Sequence, residues 1–304
     1  MAPASRPARR PPLTYIQAII LGLLQGVTEL FPISSLGHAV ILPKFLGWND
    51  VVAAQSAPES FWLAFLVGLH VATAIALLVF FRAQWARIIR GFGTSIRTRR
   101  IGTPDERLAW LLLVATIPAG IAGLLLEHTL RVAFATPAVA AVLLMVNGLI
   151  LIAGERVRRG ATARRLVRSH ARTDAGDRRL DTLDFRESFA IGVAQVLALL
   201  PGISRSGVTI VAGLVRGLDH EDAARFSFLL ATPIILAAGV YKLPDLVGHN
   251  GDGVRGQVLV GSVAAGLAAY VSVRFLSRYF RRGTLLPFAA YCLVVGALAL
   301  IRVA

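Results

Sequence analysis

Two short stretches hold most of the groups in this chain that can do chemistry. In the first, QGVTELFPISSLGH from Gln25 to His38, a glutamine, a glutamate, two adjacent serines and a histidine follow an apolar run. The second, PGISRSGVT from Pro201 to Thr209, brings two serines, an arginine and a threonine into a similar setting. Gln25 and Glu29 are four residues apart and so share a helix face. An ionised carboxylate near a bilayer centre costs roughly 2.5–3.5 kcal/mol on insertion scales, so Glu29 is either a neutralised bystander or a working group. Ser34 and Ser35 open the next short helix, where serine is a good N-cap. Free N–H groups and partial positive charge at such a helix end also suit phosphate. Ser204 has the same place in the second stretch and is followed by Arg205 and Ser206. Arg205 offers a planar donor fork matched to phosphate oxygens, or else a salt bridge to Glu29. Thr209, four residues on, shares its face. His38 lies one turn beyond Ser35, a spacing open to general acid–base work. A carboxylate, a hydroxyl, an imidazole and an arginine beside two helix ends describe a phosphoryl-transfer site, where positioning and charge neutralisation do most of the work. Such a site also admits a divalent cation, Mg²⁺ or Ca²⁺, with Glu29 as its protein ligand and the substrate phosphates completing the shell. No organic cofactor is called for.

The elements that must position these residues are membrane helices. Of the 304 residues, 56% are hydrophobic and only 16% charged, against about 25% charged in a soluble domain. Largely apolar runs at 61–81, 108–126, 137–153, about 226–243, 258–276 and 285–303 reach or approach the ~20 residues that cross a bilayer as a helix. The two polar stretches fall elsewhere, inside interrupted runs: Leu13–Leu30 meets Pro32 and the serine pair, and Phe189–Leu200 meets PGISRSG. Two short helices joined by such a break read as a re-entrant hairpin, tolerated at membrane depth only where protein or a wet cavity surrounds it.

A shift of 170 residues overlays the breaks: Gly22 on Gly192, Gln25 on Gln195, Leu30 on Leu200, Ile33 on Ile203, Ser34 on Ser204 and Gly37 on Gly207. Each hairpin is followed by three spans. Because three is odd, the second copy enters from the opposite side, which gives inverted repeats with both hairpins meeting near the midplane, a transporter-like plan. The expected fold is therefore an all-α polytopic membrane protein with six transmembrane helices and two re-entrant helical hairpins. Residues 1–12 form a disordered basic tail and 13–304 a single membrane domain. Within it, repeat one covers about 13–153, a cytoplasmic loop 154–184 and repeat two about 185–304.

The net charge of +15 raises nucleic acid as a partner, but the arginines cluster between apolar spans, at 82–107, 154–186 and 277–284. That is the positive-inside pattern of cytoplasmic loops, with membrane lipid rather than nucleic acid as the neighbour. The tail, with Arg6, Arg9 and Arg10, then falls on the outer side, against that rule. One cysteine, Cys292, permits no internal disulfide. GDGVRG at 251–256 precedes a membrane span with no strand before it and is set aside as a nucleotide motif. His70, His128, His170, His220 and His249 lie outside the two breaks and are assigned to packing.

At the two breaks the chain closely resembles undecaprenyl-diphosphate phosphatases of the bacitracin-resistance type. That family carries an [E/Q]xxxE motif leading into PxSSxGH, and a separate PGxSRSGxT; here they read Gln25–Glu29, PISSLGH and PGISRSGVT. The resemblance implies removal of the terminal phosphate of undecaprenyl diphosphate at the extracytoplasmic face of the bacterial plasma membrane. That reaction recycles the lipid carrier for peptidoglycan synthesis and confers bacitracin resistance. By the same resemblance Gln25 and Glu29 belong to the catalytic helix, Ser34, Ser35 and His38 to the reacting loop, and Ser204, Arg205, Ser206 and Thr209 grip the diphosphate. Two departures stand out: the first motif position is Gln25, one carboxylate fewer for a metal, and Leu36 replaces a small polar residue.

The residues leave three mechanisms open: attack by Ser35 with His38 or Glu29 taking its proton, attack by His38, and attack by activated water. They also leave a second class, a polyprenyl-phosphate carrier or flippase using the same midplane site. A type-2 lipid phosphatase is excluded because its second histidine, six residues after the arginine, is replaced by Val211.

Overall fold

A computed structural model of the chain describes residues 13–56, 61–134, 136–169, 179–242 and 253–303. The N-terminal tail, His170, His249 and the start of GDGVRG lie outside the described residues, as does the side chain of His128. Every regular element among the described residues is helical. In chain order the helices are α1 Tyr15–Thr28, α2 Ser35–Phe45, α3 Asn49–Ser56, α4 Phe61–Phe80, α5 Arg82–Thr98, α6 Pro104–Phe134 and α7 Pro137–Ser169. They continue with α8 Phe185–Gln195, α9 Arg205–Val215, α10 His220–Tyr241, α11 Arg255–Tyr279 and α12 Leu286–Val303. Six of them, α4, α6, α7, α10, α11 and α12, are long and apolar enough to cross a bilayer, in agreement with the six runs read from sequence. The fold is that of an all-α polytopic membrane protein.

Several boundaries differ from the sequence reading. The run at 137–153 continues as helix to Ser169, because ERVRRGATARRL is mostly arginine, alanine, glutamate and leucine, good helix formers, and it holds no proline. The basic segment after α4 is likewise a helix, α5, which buries Gln84, Ile88 and Ser95 on one side. The short α3 follows α2 where no element was foreseen.

The four helices of the two breaks are short. At 1.5 Å per residue, the 14 residues of α1 and the 11 each of α2, α8 and α9 cover about half to two thirds of a ~30 Å hydrocarbon core. Their starts are specified locally. Thr14 and Asp184 each cap their helix through a reciprocal bond with a residue three on, Gln17 and Glu187. Ser34 and Ser204 cap α2 and α9, so the two serines aligned by the 170-residue shift do the same structural job.

Each short leading helix packs on a long helix from the other half of the chain. α1 lies on α11 and α8 lies on α6, and both contacts depend on glycine. A Cβ on Gly26 would sit 2.2 Å from the carbonyl oxygen of Ala265, and one on Gly22 at the same distance from that of Gly261. On the other side, a Cβ on Gly192 would come within 2.4 Å of the Ala115 carbonyl oxygen. Close backbone approach through small residues is the usual basis of helix association where no hydrophobic driving force operates.

The basic segments gather at one end of the molecule. There Arg107 donates to the Leu183 carbonyl, Arg225 to Gln84, and the Leu180 N–H to Asp222. Arg281 pairs with Glu221, and His220 with the buried Glu155 at 2.8 Å. At the other end Leu13, Val51, Trp62, Val254 and Val258 form a separate apolar cluster, tied by a bond from Gln257 to the Leu13 carbonyl. The chain entering α1, the helix α3 and the start of α4 therefore meet at this second end, whereas α8 begins and α9 ends at the basic end.

The α1–α11 contact makes a direct prediction. Gly26→Ala drives a methyl into backbone and should lower stability by about 1–3 kcal/mol, the scale of overpacking, seen as a lower melting temperature in detergent. Gly93→Ala in α5 meets no atom within 4 Å and should leave stability unchanged or raise it, since alanine is the better helix former.

Candidate functional site

The two breaks meet, and Glu29 is where they are joined. Its carboxylate is buried directly after the last turn of α1. Oε2 accepts the hydroxyl of Ser35 at 2.6 Å and the amide of Gln25 at 3.2 Å. Oε1 accepts Nη2 of Arg205 from α9 at 3.0 Å. The salt bridge weighed from sequence is therefore present, and it places the arginine fork beside the Ser35 hydroxyl. Nη1 of the same guanidinium reaches the Ser227 carbonyl at 3.4 Å.

The backbone at the breaks is satisfied by protein groups. Asn147, in the middle of α7, donates to the Pro32 carbonyl at 2.9 Å and accepts the Ser204 N–H at 2.9 Å, so that one side chain bridges both breaks. Ser206 donates to the Phe31 carbonyl at 3.1 Å. The Ser34 hydroxyl oxygen accepts the N–H groups of Gly37 and Gly202, both at 3.2 Å. Gly37 and Gly202 approach so closely that a Cβ on the former would be 2.9 Å from the Cα of the latter.

Ser34 has φ 68°, ψ 102°, sparsely populated for a residue with a side chain. Its counterpart Ser204 is ordinary at φ −87°. Strain of this kind costs of order 1–3 kcal/mol and persists where the surroundings over-determine it. Here the hydrogen bonds on Ser34 do so, and the strain sits next to Ser35 in only one of the two breaks.

His38 occupies another part of this neighbourhood. Its Nδ1 lies 2.7 Å from the Ser34 carbonyl oxygen and its Nε2 lies 2.9 Å from the Tyr291 hydroxyl of α12. Both ring nitrogens are thus engaged with groups other than Ser35 and Glu29. Ser204 and Ser206 share a bond at 3.0 Å. The Thr209 hydroxyl is turned to the Arg205 carbonyl at 2.8 Å and to the Ser227 hydroxyl at 2.6 Å, which fixes α9 against α10.

The structure therefore brings Gln25, Glu29, Ser35 and Arg205 into one bonded cluster. Ser34 and Ser204 cap α2 and α9 beside it, Ser206 lies in the first turn of α9, and His38 and Thr209 lie at its margins. It also adds groups that the sequence reading passed over. His70 of α4, assigned there to packing, has Nε2 3.4 Å from Glu29 Oε2. Asn147, Ser227 and Tyr291 were not singled out at all. The available signal was a polar side chain inside an otherwise apolar span, the placement that most often marks a site within a membrane. MVNGLILI and VGLHVATA both carry it.

As a metal site the cluster fits poorly. Both oxygens of its single carboxylate are engaged, one by a guanidinium, and among the described residues no group of three acidic, histidine or cysteine side chains converges. Its chemical competence lies elsewhere, in a hydroxyl bonded to a carboxylate with a fixed cation alongside.

Known proteins match the chain over nearly its whole length. The family model described as bacitracin resistance protein BacA matches residues 18–298. The undecaprenyl-diphosphatase of Mycolicibacterium paratuberculosis is 56% identical, over 96% of this chain and 98% of its own. Undecaprenyl-diphosphatase 2 of Frankia alni is 53% identical over the same shares. That of Chromobacterium violaceum is 44% identical over 94% of this chain and 98% of its own. The match takes in both breaks and all six long helices, and the chain belongs to the bacitracin resistance protein BacA family.

Proposed function

We propose that the chain hydrolyses undecaprenyl diphosphate to undecaprenyl phosphate and inorganic phosphate, recycling the lipid carrier for peptidoglycan synthesis and so conferring bacitracin resistance. The observation that carries this reading is the 2.6 Å bond from the Ser35 hydroxyl to Glu29, with Arg205 on the other carboxylate oxygen. A lipid carrier needs groups that bind phosphate, but it has no use for a hydroxyl paired with a base. That pairing is the signature of an activated nucleophile, and it favours hydrolysis over the flippase alternative.

In the proposed reaction the terminal phosphoryl group lies between Ser35 and the Arg205 fork. Ser35 Oγ bonds to phosphorus while its proton passes to Glu29. The bond to the bridging oxygen breaks, and its electron pair leaves on undecaprenyl phosphate. Water then attacks the phosphoserine, returning the proton to Ser35 Oγ and releasing inorganic phosphate. Arg205 and the Ser-capped starts of α2 and α9 offset the charge on the equatorial oxygens, the largest task in phosphoryl transfer. Glu29 is the better placed base, because His38 is turned to Ser34 and Tyr291. Ser34, Ser204, Ser206 and Thr209 shape the cradle, and Gln25 orients the carboxylate. A divalent cation would enter as counter-ion of the diphosphate rather than as a resident of the protein.

The same reading treats 13–153 and 185–304 as inverted repeats with re-entrant hairpins. Supporting it are the reciprocal packing of α1 on α11 and α8 on α6, and the return of each hairpin to the end it came from. It places the basic end in the cytoplasm and the site within reach of the extracytoplasmic side of the plasma membrane, from which the first hairpin enters.

Phosphate release by the purified protein in detergent tests the reading. Wild type should turn over undecaprenyl diphosphate; Ser35→Ala and Glu29→Ala should each lose about 10³-fold or more in kcat, and Arg205→Ala about 10²–10³-fold. Absence of release by wild type with or without added Mg²⁺ or Ca²⁺ would overturn it, and transport assays in liposomes would then take precedence. Metal analysis of the dialysed protein should find well under one equivalent of divalent cation, with any metal requirement following the diphosphate concentration; a stoichiometric retained ion would contradict the counter-ion role.

A further inference from the structure

His70 stands outside both polar stretches, on α4, with its Nε2 3.4 Å from Glu29 Oε2. Its Nδ1 lies 2.8 Å from the carbonyl oxygen of Leu66, one turn back on the same helix. A carbonyl oxygen only accepts, so Nδ1 carries a proton. In a neutral ring Nε2 would then present a lone pair to a carboxylate oxygen, an unfavourable contact at this distance. The contact is attractive only when Nε2 is protonated as well. The charged groups facing His70 from the packed elements are Glu29, at the end of α1, and Arg205, on α9. The helices α3, α5, α10 and α11, which also pack on α4, supply no ion-pair partner to it among the described residues. The His70 side chain keeps 29% of its surface exposed against 6% for Glu29, so it is not sealed behind the carboxylate.

We propose that His70 is a histidinium and serves as the second cation of the phosphate site, a role that rests on the phosphatase reading above. Glu29 is shared between Arg205 on one oxygen and His70 near the other. One carboxylate and two cations leave the cluster with a net positive charge, which matches a diphosphate. When Glu29 accepts the Ser35 proton it becomes neutral and its hold on both cations weakens. Arg205 and His70 are then available to the phosphoryl oxygens at the moment the Oγ–P bond forms and the bridging P–O bond breaks. His70 keeps its proton throughout and contributes charge rather than proton transfer.

The test is kcat/KM for phosphate release against pH for wild type, His70→Gln and His70→Lys, with folding followed by gel filtration and melting temperature. Wild type should lose activity on the alkaline side as His70 deprotonates. His70→Gln, which can donate a hydrogen bond but carries no charge, should fall about 10²-fold, the scale of losing one preorganised group at a developing charge, and its alkaline loss should disappear. His70→Lys should recover much of that rate and hold it to higher pH. A folded His70→Gln with the wild-type rate and profile would overturn the proposal while leaving the phosphatase reading intact. A wild-type profile with no alkaline loss over the range in which the protein stays folded would overturn it without any variant. No release by wild type at any pH would instead defeat the phosphatase reading on which the proposal stands.

Discussion

A buried carboxylate has little water to solvate it, and its charge must be met by groups the protein brings. Glu29 meets that demand with Ser35 and Gln25 from its own hairpin and Arg205 from the other. Removing one partner of such a buried pair costs about 3–5 kcal/mol, because the remaining charge is left uncompensated. The ion pair therefore holds the two hairpins in register as well as contributing to the site. The same contact that stabilises the junction leaves a hydroxyl on a base and a guanidinium alongside, and the chemistry follows from it.

The second constraint is the broken backbone. Helices too short to cross leave N–H and C=O groups that lipid cannot satisfy. Asn147 reaches both breaks, Ser206 takes the Phe31 carbonyl, and Ser34 takes two N–H groups. These bonds fix where α2 and α9 begin, and hence where Ser35 and Arg205 start. Glycines at the α1–α11 and α6–α8 contacts let the leading helices sit close enough for those bonds to form. Small residues at helix contacts, polar bridges at the breaks and the Glu29 cluster thus form one chain of dependence.

Much of this was legible in the sequence because the signals were local. Six apolar runs gave six long helices, Pro32 and PGISRSG gave the breaks, and Ser34 and Ser204 gave two caps at equivalent positions. The pairing of Glu29 with Arg205 was open as one of two roles, and the geometry shows the pairing directly. What stayed hidden depends on contacts between residues far apart in the chain. Nothing local says that His70 faces Glu29 or that Asn147 spans two breaks; their only mark was polarity within an apolar helix. His38 shows the converse. Its spacing from Ser35 suggested a shared task, but a one-turn offset on a helix does not fix where a ring points, and Ser34 and Tyr291 hold it. α7 runs on past its apolar stretch because arginine and alanine continue a helix readily.

The central claim is that the Ser35 oxygen, relieved of its proton by Glu29, attacks the terminal phosphorus. The stereochemical course at that atom tests it most directly, using undecaprenyl diphosphate whose terminal group is a chiral, isotopically labelled thiophosphate. Two successive in-line displacements, first by Ser35 and then by water, predict inorganic thiophosphate with configuration retained. Inversion would show a single displacement by water and would contradict the account, leaving Ser35 as a binding group rather than the nucleophile.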